Sequence, residues 1–428
     1  MGVSLSIYLR VRVQQLTFLP NRNQVNMFGN RQTKQIRFFA MAASLALLTA
    51  GCSAGGNNAA VKPGGIETVK IGVPLSLTGT AAFAGVKMRN AMELSFDQLN
   101  SELQGVKIDP IFVDDHSDQA STIDVTTRLI TADQVAAITG YSVSNLCQAG
   151  LPVAQQNSVP TVEADCVAPG IVDIGNYIFA SVIPYDAFVA SMIDTLAKDS
   201  TLHLKKAGII YLQANPVFAD ETKVMEKAFA KNGIKVVGVE AVPSTSDSDF
   251  SAQLTNLASK GVDALAVLLL GGQSGPAIAQ ARQAGMTQTN TIIVGEQNLN
   301  SAEVLRTAGS AAENTFYPTH WSPLSVFKRN QDYIAAYKKR FGQEPDTFAT
   351  NGYEAAQILG AALKKVGKPS KYKDLQTFRN AIRDALDGLD VLQTVYGDGT
   401  MKMAHRAPVL TAKLIRINAE GKQTLYTP

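Results

Sequence analysis

The sequence predicts an α/β protein of two doubly wound lobes, each a parallel sheet with helices on both faces. Three observations predict it. Short apolar runs alternate with longer segments whose apolar residues recur at helical spacing. The turns between them are short and carry Gly or Asp. The whole alternation then starts again near Lys206. A strand-helix-strand series gives a parallel sheet because each return crossing lays a helix on a face. At 428 residues the chain is long enough for two ordinary domains.

Taken in order, Val69–Leu75 reads as a strand, followed by a polar loop carrying Phe83. Met88, Ala91, Met92, Phe96 and Leu99 share one helical face, and Lys107–Val113 is a second strand. Thr122–Ala132 is a helix, Ala136–Thr139 a strand, Asn145–Asn157 a helix and Pro160–Glu163 a strand. The second series runs Lys206–Tyr211 (strand), Phe218–Asn232 (helix), Lys235–Glu240 (strand) and Asp249–Ser259 (helix). It continues with Ala264–Leu270 (strand), Pro276–Ala284 (helix) and Thr291–Val294 (strand). Three helical stretches follow, Val326–Phe341, Phe348–Val366 and Tyr372–Leu386, and then a tail of strands.

The N-terminus is a separate matter. Arg31, Lys34 and Arg37 precede an apolar run from Phe38 to Ala50, too short to span a bilayer and suited to a signal peptide. It ends in Leu48-Thr49-Ala50-Gly51-Cys52, which resembles a bacterial lipobox, so 1–51 is read as a leader and Cys52 as the lipidation site. Met27 is an alternative start. Residues 52–66 are Gly- and Asn-rich without apolar periodicity and read as a flexible tether. The leader holds six Lys/Arg and no acid, so the rest has 33 basic against 36 acidic residues. That weakly acidic body argues against nucleic acid, whose phosphates need basic runs. Cys147 and Cys166 are the other cysteines, and in an exported chain they read as a disulfide, with free thiols as the alternative. Such a bridge closes a loop of about 18 residues, worth about 3 kcal/mol in the chain-entropy model.

The stretch Ala136–Cys147 is a strand, a tight turn and a helix start, with hydroxyls at Ser142 and Ser144. The first N–H groups of a helix lack intrahelical partners, so a hydroxyl beside them suits a small carboxylate. The alternative is that Ser144 is an ordinary helix cap.

The run Ile71–Gly79 resembles the opening of the branched-chain amino-acid binding proteins, the leucine-isoleucine-valine type. So do Val113–Asp115, Ile138–Gly140 with Ser144, Asp249–Leu254, Ala279–Gly285 and Gly352–Ala356, in that order. The resemblance runs from about residue 67 to the end. It implies a type I periplasmic binding protein: two lobes joined by a three-stranded hinge that close on a small ligand and deliver it to an ABC transporter permease. It places 67–184 and 317–390 in the first lobe, and 185–316 and 391–428 in the second. Carried over by position, Ser144 meets the ligand carboxylate and Cys166 and Val167 follow the fourth strand, where the family's usual Thr is absent. Phe218 faces the cleft from the second lobe, Gln273 is a further contact, and Glu296 or Gln297 pairs with a ligand ammonium. Phe83, Tyr141 and Ser142 are expected at the pocket, and Trp321 near a crossing.

Enzymatic chemistry finds little support. His116, His203, His320 and His405 make no zinc spacing, and the Ser142–Ser144 turn lacks the context of a nucleophile elbow. Asp114, Asp115 and Asp118 lack the Gly and the later Glu of a calcium loop, and Gly271–Gly275 is an incomplete dinucleotide fingerprint. No cofactor, metal or catalytic residue is expected. The expected protein is a monomeric, lipid-anchored, extracytoplasmic binding subunit of an ABC importer, capturing an amino acid or a related amide or carboxylate. The second reading is a ligand-binding partner of a membrane sensor.

Overall fold

The computed structural model describes residues 66–410 and 412–428. The expected leader (1–51), Cys52 and all of the 52–66 tether except Ile66 lie outside the described residues. Among the described residues no helix is long and apolar enough to cross a membrane.

The first sheet has the order β2-β1-β3-β4-β5, all parallel. Its strands are β1 (Glu67–Leu75), β2 (Val106–Asp114), β3 (Ala137–Gly140), β4 (Thr161–Glu163) and β5 (Ile178–Phe179). Between them run α1 (Ala82–Glu102), α2 (Gln119–Thr131) and α3 (Ser144–Gln156). Two of these helices start differently. Asp118 caps α2 by accepting from the Ser121 N–H, whereas α3 has no side-chain cap and follows extended Val143. Ser144 is therefore the first helical residue and not the cap.

The chain then crosses to the second sheet. There α4 (Tyr185–Leu196), absent from the expected elements although Phe188, Val189, Met192, Ile193 and Leu196 recur at helical spacing, precedes β6 (Lys206–Leu212), α5 (Pro216–Lys231), β7 (Lys235–Val242) and α6 (Ser251–Ser259). Next come β8 (Ala264–Leu268), α7 (Gly271–Gln283), β9 (Ile292–Val294), α8 (Ala302–Ala308) and β10 (Thr315–Thr319). Asn215 caps α5 and Pro216 fills its first turn, where a missing N–H costs nothing. Helix α7 begins ahead of the expected Pro276, which it accommodates internally, and this brings Gly271 to the helix start.

A second crossing leads to α9 (Lys328–Phe341), α10 (Thr347–Val366) and α11 (Leu375–Asp387), which share a buried cluster with the first sheet. Helix α10 lies against α1 so closely that a Cβ at Gly352 would sit 2.9 Å from the Met88 backbone. From α11, Arg379 donates through Nε and Nη2 to the Val135 carbonyl at 3.0 and 2.7 Å. The strands β11 (Val391–Gln393), β12 (Thr400–Ala404) and β13 (Ala407–Val409) form a small antiparallel sheet. The third crossing brings β14 (Lys413–Ile417) and β15 (Gln423–Leu425) antiparallel onto the edge of the second sheet, whose order is β15-β14-β10-β9-β8-β6-β7.

Sheet membership thus differs from the expected boundaries at 317 and 391. Pairing with β9 and β14 holds β10 in the second sheet through Thr319. Val395, Tyr396, Met401 and Met403 from the 391–409 segment are buried with the first lobe's core. Buried His320 ties the crossings together. Its Nε2 accepts from the Ile183 N–H at 2.7 Å, and its carbonyl accepts from the Gly397 N–H at 2.9 Å. Its ring lies on Tyr396 and meets the edge of Phe188. Trp321 follows directly, buried in the first lobe's core.

Candidate functional site

In both sheets neighbouring helices leave in opposite directions at one place, between β1 and β3 and between β6 and β8. A crevice opens at such a switch point, beyond the carboxyl ends of the strands. The two crevices meet in one cleft whose empty space, including its mouth, measures about 530 Å³. The first lobe lines it with Phe83, the turn Val143–Asn145, Asp165, Val167 and Phe348. The second lobe adds Asn215, Val217 and Phe218 from the start of α5, Leu270 and Gly271 from the start of α7, and Glu296, Gln297 and Asn298 after β9.

Charge in the cleft is polarised. Helix α3 starts at Ser144 with no side-chain cap, so its first N–H groups and the Ser144 hydroxyl present donors. Ser144 Oγ already accepts from the Ala168 N–H at 3.2 Å, which fixes its orientation. Opposite lies Glu296, buried, with its carboxyl pushed up to about 7 by desolvation. Asp165 is also held well above the usual carboxylate range, first by burial and then by neighbouring Glu163 and Glu296. It joins the lobes: Gln297 Nε2 and Asn351 Nδ2 both donate to its Oδ1, at 2.9 and 2.7 Å, and Tyr396 Oη donates to Asn351 Oδ1 at 2.8 Å. The first-lobe wall thus offers the donors of the α3 start beside Asp165, and the second-lobe wall offers Glu296 beside the start of α7, which also has no side-chain cap.

Of the expected site residues, Phe83, Ser144, Val167, Phe218, Glu296 and Gln297 line the cleft. Four do not, and each has a local reason. Tyr141 adopts a left-handed backbone (φ 66°) that turns its ring into the first lobe, where Oη meets Thr126 at 3.1 Å and only a glycine fits at 150. Ser142 Oγ accepts from the Ser76 N–H at 2.9 Å and is fully buried. Cys166 is bonded to Cys147, with Cα atoms 6.1 Å apart, and its N–H donates to Glu163 Oε2. Gln273 Nε2 holds the Ser244 and Asp247 carbonyls, each at 3.0 Å, away from the cleft. Cys147, Glu163 and Cys166 cluster as a metal site would, but both sulfurs are committed to each other. Residues that sequence reasoning missed include Asp165, Asn215, Asn298 and Phe348. Asn215 was findable, since Asn-Pro ahead of an apolar-periodic run is a helix-start signal.

Comparison with known proteins decides the family. The family model described as "Periplasmic binding protein" matches residues 68–422. The chain belongs to the periplasmic binding protein family. It is 24% identical over 325 residues to the leucine-, isoleucine-, valine-, threonine- and alanine-binding protein of Pseudomonas aeruginosa, covering 73% of this chain and 82% of that one. Among solved structures it is similar to the branched-chain amino acid transporter substrate-binding protein LivJ of Streptococcus pneumoniae in complex with isoleucine. The identity there is 25% and the TM-score 0.73, covering 85% of this chain and all (100%) of that one. A solute-binding protein of an ABC transporter from R. palustris, in complex with benzoate, shares the fold at 22% identity and a TM-score of 0.74, covering 84% of this chain and 96% of that one.

Membership of this family implies an extracytoplasmic location, and the buried ionisable groups of this periplasmic binding protein give it a defined pH response. Burial raises Glu163 and Glu296 from 4.5 to about 7 and lowers His320 from 6.5 to about 3. A raised carboxyl holds its proton in the folded state longer than in the unfolded one. Its stabilisation is complete below pH 4.5 and lost as pH rises through about 7. His320 acts oppositely, since the unfolded chain takes up its proton below about 6.5, and it offsets part of the carboxyl effect there. Above that the carboxyls are unopposed. The ligand-free protein is expected to lose roughly 1 kcal/mol per pH unit per raised carboxyl between about pH 6.5 and 7.5. Thermal melts across that range would test this, and a melting temperature that rises through it would contradict it.

Proposed function

We propose that the protein is the extracytoplasmic solute-binding subunit of an ABC importer and captures a small amino acid, or a related amide or carboxylate, between its two lobes. The observation that carries this reading is the polarity of the cleft. The uncapped start of α3 with Ser144 forms one wall and Glu296 the other. A zwitterion that enters loses its hydration, which charge-assisted hydrogen bonds from both walls replace at about 1.5–3 kcal/mol each. Only a closed cleft supplies both sets at once, so ligand favours closure and a permease can read closure as occupancy. Cys52 at the end of the leader supports a lipid anchor, with 52–66 as its tether and a monomeric body beyond. The names of the relatives support an amino-acid ligand.

Thermal-shift screening against amino acids, amides and aromatic acids tests the reading. A ligand at about a hundredfold excess over its dissociation constant adds about 2.7 kcal/mol of stability. Ser144→Ala is expected to weaken binding about ten-fold or more without unfolding the protein, since one charge-assisted bond is lost. Calorimetric titration reads this, and unchanged affinity would remove Ser144 from the site.

A further inference from the structure

The cleft does not end at its inner walls. A second space, about 550 Å³ with its mouth included, continues from it between the lobes. Five residues line both spaces: Phe83, Val143 and Leu270, which are apolar, and Asn145 and Asn215, which carry amides. The apolar three make a collar where the spaces join, and Phe83 is held there edge-on by Phe348, with ring centroids 5.2 Å apart.

The two amides come one from each lobe. Asn145 is the second residue of α3 and Asn215 caps α5, and these helices approach within 8 Å at Cα. Asn215 Oδ1 accepts from the Val217 N–H at 3.0 Å, and its Nδ2 has no partner among the described residues. Asn145 engages only its backbone carbonyl, which accepts from Gln119 Nε2 at 3.1 Å, so its whole carboxamide is without a partner among them too. Thr80 from the first lobe and Thr245 from the second add hydroxyls to the outer space. None of its lining residues is charged, in contrast to the inner cleft with Asp165 and Glu296.

Such a space selects the tip of a side chain by its chemistry. A charged tip would give up hydration there with no countercharge to replace it. An apolar side chain would fill the collar and shield the half-buried amides from water without pairing them. A carboxamide or urea answers both walls, since its carbonyl can accept from Asn215 Nδ2 while its N–H donates to Asn145 Oδ1. A site with hydrogen-bonding groups in place rejects analogues that lack the matching group far more strongly than an apolar pocket rejects a missing methylene.

We propose that the ligand is an α-amino acid with a neutral, amide-ended side chain, of the glutamine or citrulline kind, its stem in the collar and its tip between Asn145 and Asn215. The assignment rests on the amino-acid reading of the cleft and adds the side chain to it.

Calorimetric titration with L-glutamine, L-citrulline, L-methionine, L-leucine, L-glutamate and L-arginine tests this. The tighter-binding amide is expected to exceed methionine and leucine, which lack the amide, and glutamate and arginine, which carry a charge in its place, by about ten-fold or more. Asn145→Leu is expected to lower the glutamine-to-methionine affinity ratio about ten-fold. Asn215→Ser keeps a capping hydroxyl for α5 and is expected to lower the same ratio, so the amide pair is tested even where Asn145→Leu fails to fold. Methionine, leucine, glutamate or arginine binding as tightly as both amides would overturn the side-chain assignment and leave the amino-acid reading intact. A ratio unchanged in the folded variants would overturn it as well. If none of the six binds, the assignment falls, and the thermal-shift screen over all amino acids decides the broader reading separately.

Discussion

Glu296→Gln is expected to weaken binding of a zwitterionic amino acid a hundredfold or more while leaving the ligand-free protein at least as stable. The two effects have one cause. Glu296 is buried at the cleft wall and desolvation raises its carboxyl, with no cation among the described residues to offset it, so in the absence of ligand its charge is a burden. In the complex we propose, the ligand's ammonium is its partner, and removing one member of a buried pair costs about 3–5 kcal/mol. At about 1.4 kcal/mol per factor of ten, that is two orders of magnitude or more in affinity. Calorimetric titration and thermal melts of the variant give both numbers. Unchanged affinity would take the ammonium away from Glu296.

Removing the Cys147–Cys166 bridge is expected to cost about 3 kcal/mol of stability and to weaken ligand binding as well. The bridge spans 19 residues, and closing such a loop removes conformational freedom chiefly from the unfolded chain. It also ties α3 to the segment after β4. Ser144 lies one turn before Cys147, and its hydroxyl accepts from Ala168, two residues beyond Cys166. Loosening one end therefore loosens the donor wall of the cleft. The double variant Cys147→Ala with Cys166→Ala, followed by urea unfolding, should show a lower midpoint at a similar slope. An unshifted midpoint would show that the bridge adds nothing to the fold.

The alternation of strand and helix was legible because it follows from local periodicity, and it gave the first four strands of each sheet in chain order, while β5 and β10 were not among the expected elements. Glu296 and Gln297 were reached through the family resemblance, which left open which of the two faces the ligand, and both line the cleft. What failed was side-chain direction. Tyr141 and Ser142 sit in the same turn as Ser144, but a positive φ at Tyr141 sends its ring inward, and Ser142 is taken by Ser76 from the loop after β1, distant in sequence. No local pattern carries such partners. Asp165 and Asn351 come together from positions 186 residues apart, and Phe348 reaches the cleft only because α10 returns to the first lobe. The segment 391–409 was misplaced for the same reason, since its strands pair with one another and bury Tyr396 in the first lobe's core.

The most direct measurement is a crystal structure with the amino acid that raises the melting temperature most. The polarised cleft predicts the ligand between the lobes, its carboxylate within hydrogen-bond distance of Ser144 Oγ and the first N–H groups of α3, and its ammonium against Glu296. A ligand bound elsewhere on the chain, or held in this cleft with its ends reversed, would contradict it.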